Sequence, residues 1–273
     1  MTATILIDNQ TRSSLAAEWG LAVWIEYKGH VLLLDTGETG AFIENADKMR
    51  LDVARVEFGV LSHAHHDHAN GMPAFFKRNQ TASFYLRKGC EENCYAEEGV
   101  SSRYIGIQKG CLERYKDRIR FVEGPYELLP GAVLLPHTTP GLERLGEKAR
   151  LYVEQNGKRC PDGFLHEQSL VLQTGYGLVI WNSCSHGGAD NIIKEVADAY
   201  PGQTIYALVG GLHLYASSEK EVRALAARIR ETGIQKVYTG HCTGESAFSV
   251  LKQELGDKVE PIYSGMKITI PDA

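Results

Sequence analysis

The sequence predicts a mixed α/β fold, and two observations predict it. Short aliphatic or β-branched runs alternate along the chain with longer stretches of helical spacing. A Gly- or Ser-flanked histidine also follows a strand end at three separated places, 63–68, 186 and 241, with His213 a weaker fourth. When a sheet carries helices on its faces, its strand ends converge along one edge, and that edge is where α/β folds hold ligands.

Ala3 to Asn9 reads as a strand. Leu21–Tyr27 and His30–Leu34 read as a hairpin across Lys28-Gly29, ending in Asp35-Thr36-Gly37. A helix over Ala41–Met49 precedes the strand Phe58–Leu61, which runs directly into Ser62-His63-Ala64-His65-His66-Asp67-His68, with a further helix near Pro73–Arg78. Residues 80–165 are less regular, broken by Gly124-Pro125, Pro130-Gly131 and Pro140-Gly141, and read as an insertion covering the active site. Regular order resumes with strands Ser169–Gln173 and Leu178–Trp181, a helix over Ala189–Tyr200 and a strand Thr204–Val209. A helix over Ser217–Glu231 opens on the capping-box pattern Ser218-Glu219-Lys220-Glu221. A strand Lys236–Tyr238 and a last helix Glu245–Leu255 follow.

A chain of 273 residues allows one large domain or two small ones, and 43% hydrophobic with 23% charged residues is ordinary globular composition. The spread of the histidines from 63 to 241 favours a single domain over 1–273. A formal charge of -5 without basic runs removes the electrostatic case for nucleic acid. No apolar run approaches the ~20 residues of a membrane span. Met1 to Asp8 lacks a basic leader segment, so the expected compartment is the cytoplasm. The six cysteines form no paired C-x-x-C knuckles and read as free thiols. Nothing in the sequence marks the oligomeric state.

Four of the ten histidines lie between 63 and 68. In extended backbone His63 and His65 point the same way and can hold one metal ion, while Asp67 and His68, beyond the turn, reach a second; His66 faces away. Two ions roughly 3.5–4 Å apart clamp a phosphoryl or carbonyl oxygen and supply a hydroxide near neutral pH.

His63-Ala64-His65-His66-Asp67-His68 matches the H-x-H-x-D-H signature, and the chain resembles the metallo-β-lactamase-fold superfamily. Glu167-Gln168-Ser169-Leu170, Cys184-Ser185-His186, Gly210-Gly211-Leu212-His213 and Gly240-His241-Cys242-Thr243-Gly244 are similar to the branch that includes 7,8-dihydropterin-6-yl-methyl-4-(β-D-ribofuranosyl)aminobenzene 5'-phosphate synthase. The resemblance implies a four-layer αββα sandwich and two divalent metal ions, zinc before manganese or iron. It also implies a third histidine for the first ion and a bridging acid, and here the sequence departs from it. The acid's position, after Leu178–Trp181, falls near Cys184, and no Asp or Glu stands there. His166 and His186 are both candidates for the third ligand, since a hairpin turning at Tyr176 brings both to one end of the sheet; Gly187-Gly188 favours His186. His241 is assigned to the second ion. His213 is assigned to substrate contact or proton transfer, Asp67 to ligation and orientation of the nucleophile, and Asp35 to the distal N–H of a ligand histidine. His166 and Cys184 are otherwise candidates for orienting a ligand, meeting substrate or binding metal through sulfur. His30 and His137 read as structural.

The expected function is a dinuclear metal enzyme acting by hydrolase-type chemistry on a small anionic molecule, phosphorylated or pterin-like. The alternatives are a dihydropterin synthase-like transferase, and an iron-bearing redox or sensor protein suggested by Cys184 and Cys242. Substrate recognition is expected from Tyr95, Tyr104, Tyr115, Tyr126, Tyr152, Arg103, Arg144 and Arg150 of the 80–165 stretch.

Overall fold

The computed structural model describes residues 1–99 and 101–272. Two seven-stranded sheets lie face to face. The first runs Lys267–Thr269, Thr2–Ile7, Ala22–Tyr27, His30–Leu34, Phe58–Val60, Ser83–Arg87, Ile119–Val122 in spatial order. The second runs Val259–Pro261, Lys236–Thr239, Ile205–Val209, Gly177–Trp181, Gln168–Thr174, Ala132–Pro136, Tyr126–Leu129.

Strand alternation builds the layers. In Ala22–Tyr27, residues Val23, Ile25 and Tyr27 enter the core between the sheets, while Ala22 and Trp24 face outward. There Trp24 shares a core with Phe42 and Ala46 of helix Ala41–Lys48 and with Phe75 of helix Met72–Arg78. In the second sheet Leu170, Leu172, Val179 and Trp181 face inward, and Val171, Leu178 and Ile180 face outward. The outward set packs with helices Ala189–Ala199, Glu219–Glu231 and Glu245–Leu255. The result is the αββα order of layers, with one core between the sheets and one under each helical layer.

The 80–165 stretch does not form one separate insertion. Ser83–Arg87 and Ile119–Val122 extend the first sheet, and Tyr126–Leu129 and Ala132–Pro136 extend the second. Among the described strands of the stretch, Cys94–Glu98, Ser101–Tyr104, Leu151–Gln155 and Lys158–Pro161 stand apart, as a four-stranded antiparallel sheet. That small sheet abuts the histidine run, whose His66 amide donates to the Ile105 carbonyl at 2.8 Å. Short strands between turn signals carry too little periodicity to reveal which sheet they join.

His30–Leu34, Phe58–Val60 and Ser83–Arg87 run parallel in the first sheet, as do Gly177–Trp181, Ile205–Val209 and Lys236–Thr239 in the second. From their carboxyl ends leave Asp35, the 62–68 run, the 182–188 loop, Gly210–His213 and Gly240–His241. Close approach of these loops demands glycine. Gly210 has φ +138°, and a Cβ there would lie 2.0 Å from the Asn182 carbonyl oxygen. A Cβ on Gly211 would lie 2.4 Å from the Cys242 sulfur.

No helix among the described residues is long and apolar enough to cross a membrane.

Candidate metal centre

The strand Phe58–Val60 ends in Leu61-Ser62, and His65, extended at φ -84° and ψ 150°, precedes the single-turn helix His66–Ala69. His63, His65 and His186 form one buried triad and Asp67, His68 and His241 another, the ligand atoms of each lying within 4.8 Å of one another. His63 Nε2 and His186 Nε2 are 3.3 Å apart, and His68 Nε2 and His241 Nε2 are 3.1 Å apart. Asp67 Oδ2 lies 3.4 Å from His241 Nε2 and 3.6 Å from His68 Nε2. Cys184 sits between the triads, grouped with His63 and His68 and with its sulfur 3.2 Å from His68 Nε2.

The surrounding hydrogen bonds assign the imidazole protons. Asp35 accepts the Ser62 amide and hydroxyl, each at 2.7 Å, and faces His68 Nδ1 at 2.8 Å. The Ser62 oxygen, its own proton spent on Asp35, accepts from His63 Nδ1 at 2.8 Å. His241 Nδ1 donates to Asn9 Oδ1 at 2.9 Å, while Asn9 Nδ2 donates back to the His241 carbonyl. All three rings therefore carry hydrogen on Nδ1 and turn the Nε2 lone pair inward. Two such lone pairs facing one another at 3.1 Å repel unless a cation lies between them. The donor set fits divalent metal.

Charge states agree with that fit at the first triad, whereas at the second burial is outweighed by Cys242 and Asp67, which raise His241 to about 9. Burial and then the neighbouring rings hold His63 and His186 well below the ordinary imidazole range, and burial brings His65 down to about 3. Neutral imidazole is the ligating form. Burial opposes ionisation of Asp67, yet His68 and His241 outweigh it and hold its carboxyl far below the usual range. Backbone strain concentrates here too, with φ of +59° at Asp35, +51° at Ser185, +49° at His213 and +47° at His241.

His166 is held differently. Its Nδ1 accepts the Ala64 amide at 3.1 Å and its Nε2 meets Asp162 Oδ2 at 2.9 Å, which occupies both nitrogens. It groups with Cys94, Asp162 and His65 rather than with His63 and His186. His213 lies 4.3 Å ring to ring from His186, with no hydrogen-bond partner for its Nδ1 among the described residues. His66 points outward, 3.2 Å from Glu38.

The contacts made by several residues escaped the sequence reading, although Glu167 lies in the Glu167-Gln168-Ser169-Leu170 motif and His137 reads as structural. Asn9 orients His241 from a strand end 232 positions away. Glu167 accepts the His186 and Gly187 amides at 3.0 and 2.9 Å and so fixes the loop carrying His186. His137 bridges Glu167 and Glu195 at 2.6 and 2.9 Å. Burial lowers an imidazole pKa, but these two carboxylates prevail and raise His137 to about 9. An unfolded histidine titrates near about 6.5, so the bridge contributes fully below that pH, declines between about 6.5 and 9 and is gone above. Urea unfolding is expected to lose on the order of 3 kcal/mol between pH 6 and 10 through this group, and His137→Gln should flatten that slope.

A narrow cavity of about 80 Å³ opens over the triads, lined by Asp67, His186 and His213, with Trp19, Tyr215 and Arg103 among its walls. A neighbouring cavity of about 490 Å³ adds Lys148, Arg150 and Phe164. Of the side chains expected to recognise substrate, Arg103 and Arg150 line these openings. Tyr115 stacks on Phe76 and Tyr126 packs against Tyr85, away from them. The aromatics over the triads, Trp19 and Tyr215, come from outside the 80–165 stretch.

The metallo-beta-lactamase superfamily matches residues 20–150. The solved structure of Tm1679, a metal-dependent hydrolase of the beta-lactamase superfamily, aligns over 100% of both chains at 31% identity and a TM-score of 0.83. The chain belongs to the metallo-beta-lactamase superfamily. It is 24% identical, over 91% of its own length and 89% of the relative's, to the 7,8-dihydropterin-6-methyl-4-(beta-D-ribofuranosyl)-aminobenzene-5'-phosphate synthase of Methanocaldococcus jannaschii. A diphosphatase of the PhnP family shares the fold at 13% identity and a TM-score of 0.56, over 100% of this chain and 98% of that one.

Proposed function

We propose that this superfamily member is a dinuclear metal enzyme acting on a small anionic substrate by hydrolase-type chemistry. The observation that carries the reading is the pair of buried triads, in the second of which His68 and His241, oriented by Asp35 and Asn9, aim Nε2 atoms at one another across 3.1 Å. His63, His65 and His186 would hold the first divalent ion, and Asp67, His68 and His241 the second, zinc being the expected metal. When bound, such ions polarise a substrate oxygen and bring water toward ionisation near neutral pH.

The chain's own groups do the rest. Asp67 would help hold the second ion and orient the attacking water. His213 Nδ1, without a hydrogen-bond partner among the described residues and beside His186, gives or takes a proton at the departing atom. Arg103 and Arg150 draw an anionic substrate to the two openings. Trp19 and Tyr215, in edge contact at 5.7 Å, shield the reacting atoms from bulk water.

The likeness to a synthase favours a second reading, a transferase joining a pterin diphosphate to a ribosyl-aminobenzene phosphate. The test offers zinc-reconstituted protein phosphodiesters, cyclic phosphates and that pterin pair, with products identified by mass. Water incorporation into a cleaved ester is expected; condensation with no hydrolysis of any ester would replace the first reading by the second.

A further inference from the structure

We propose that Cys184 and Cys242 form a dithiol modification site that a peroxide closes to a disulfide, and that this closure removes the second ion from the centre. The two sulfurs are 3.3 Å apart, and both residues are buried free cysteines. They come from different strand ends and meet only because Gly211 has no side chain to occupy the space of the Cys242 sulfur. That sulfur is held toward Cys184 by the His213 amide, which donates to it at 3.2 Å. A disulfide needs the sulfurs to close to about 2 Å, a movement within side-chain reach.

Both cysteines line the narrow cavity over the triads, so a small oxidant reaches them where a bulky one does not. One thiol takes an oxygen from hydrogen peroxide, becoming a sulfenic acid and releasing one water; the second thiol displaces that oxygen as a second water. The two cysteines give up two protons and two electrons, and the peroxide is reduced to two waters. Cys184 Sγ lies 3.2 Å from His68 Nε2 and groups with His241 as well, so it would add a fourth donor to the second ion beside Asp67, His68 and His241, and a bond to Cys242 takes that donor away. A small thiol reductant reverses the bond.

The disulfide stands on the sulfur geometry alone; its effect on metal rests on the dinuclear reading. Purified protein, as isolated and after chelation, is treated with hydrogen peroxide and digested without reduction, and zinc uptake is measured before and after oxidation. The expected result is a linked Cys184–Cys242 peptide that thiol reduction separates, and zinc uptake lower by one ion per chain. Cys184→Ser and Cys242→Ser should each abolish the linkage. Oxidation of the wild-type chain that leaves both thiols alkylatable, or carries them to sulfinic acids without linkage, overturns the proposal, as does a linked chain that still takes up the full zinc complement. Reduced protein that takes up no second ion would instead overturn the dinuclear reading while leaving the linked peptide to be judged by itself.

Discussion

The double substitution His63→Ala, His65→Ala is expected to remove the first divalent ion and to lower hydrolytic turnover by at least about a thousandfold, because a water ionising near pH 7 is lost with it. His63 and His65 contribute two of the three donors of the first triad, and His186 alone cannot retain an ion. Both rings are buried and neutral, so their removal leaves no uncompensated charge in the core. The fold is therefore expected to persist, with helical and strand content unchanged by circular dichroism while elemental analysis records the missing ion.

Asp35→Asn is expected to weaken the second ion about 10–100-fold. The Asp35 carboxylate receives the Ser62 amide on one oxygen, and the Ser62 hydroxyl and the His68 ring on the other. Asparagine fits the backbone, since its φ of +59° is one that Asn tolerates, but its amide nitrogen brings hydrogens where donors already point. If the nitrogen takes the place of Oδ2, His68 must move its proton to Nε2 and lose the inward lone pair, and the Ser62 hydroxyl, which shares that oxygen, turns its proton toward His63. If it takes the place of Oδ1, the Ser62 amide is stranded at about 1–3 kcal/mol. The measurement is competition for zinc against a chromophoric chelator, beside a thermal melt. Unchanged affinity with a lowered Tm would reduce Asp35 to a purely structural role.

Much of this fold was legible because periodicity carries it. The hairpin of Ala22–Tyr27 and His30–Leu34 pairs across Lys28-Gly29, and the capping box at Ser218 and Glu221 opens its helix as the pattern requires. Val259–Pro261 and Lys267–Thr269 were not legible, because three residues define no period; each becomes an edge strand only through its neighbour. The site divides the same way. The 63–68 run announces itself through spacing, and Gly187-Gly188 marks His186. Asn9, Asp162 and Glu167 act through contacts that only the folded chain makes, and nothing local separates such residues from an ordinary polar side chain at a strand end. His137 looked unremarkable until folding placed it between Glu167 and Glu195.

The central claim is that two triads hold two ions, and the direct measurement is metal stoichiometry on reduced, purified protein equilibrated with zinc and freed of excess. Two ions per chain are predicted, one of them lost on His63→Ala, His65→Ala. A wild-type chain that binds no zinc, or a single ion whose retention is indifferent to His63 and His65, would contradict it.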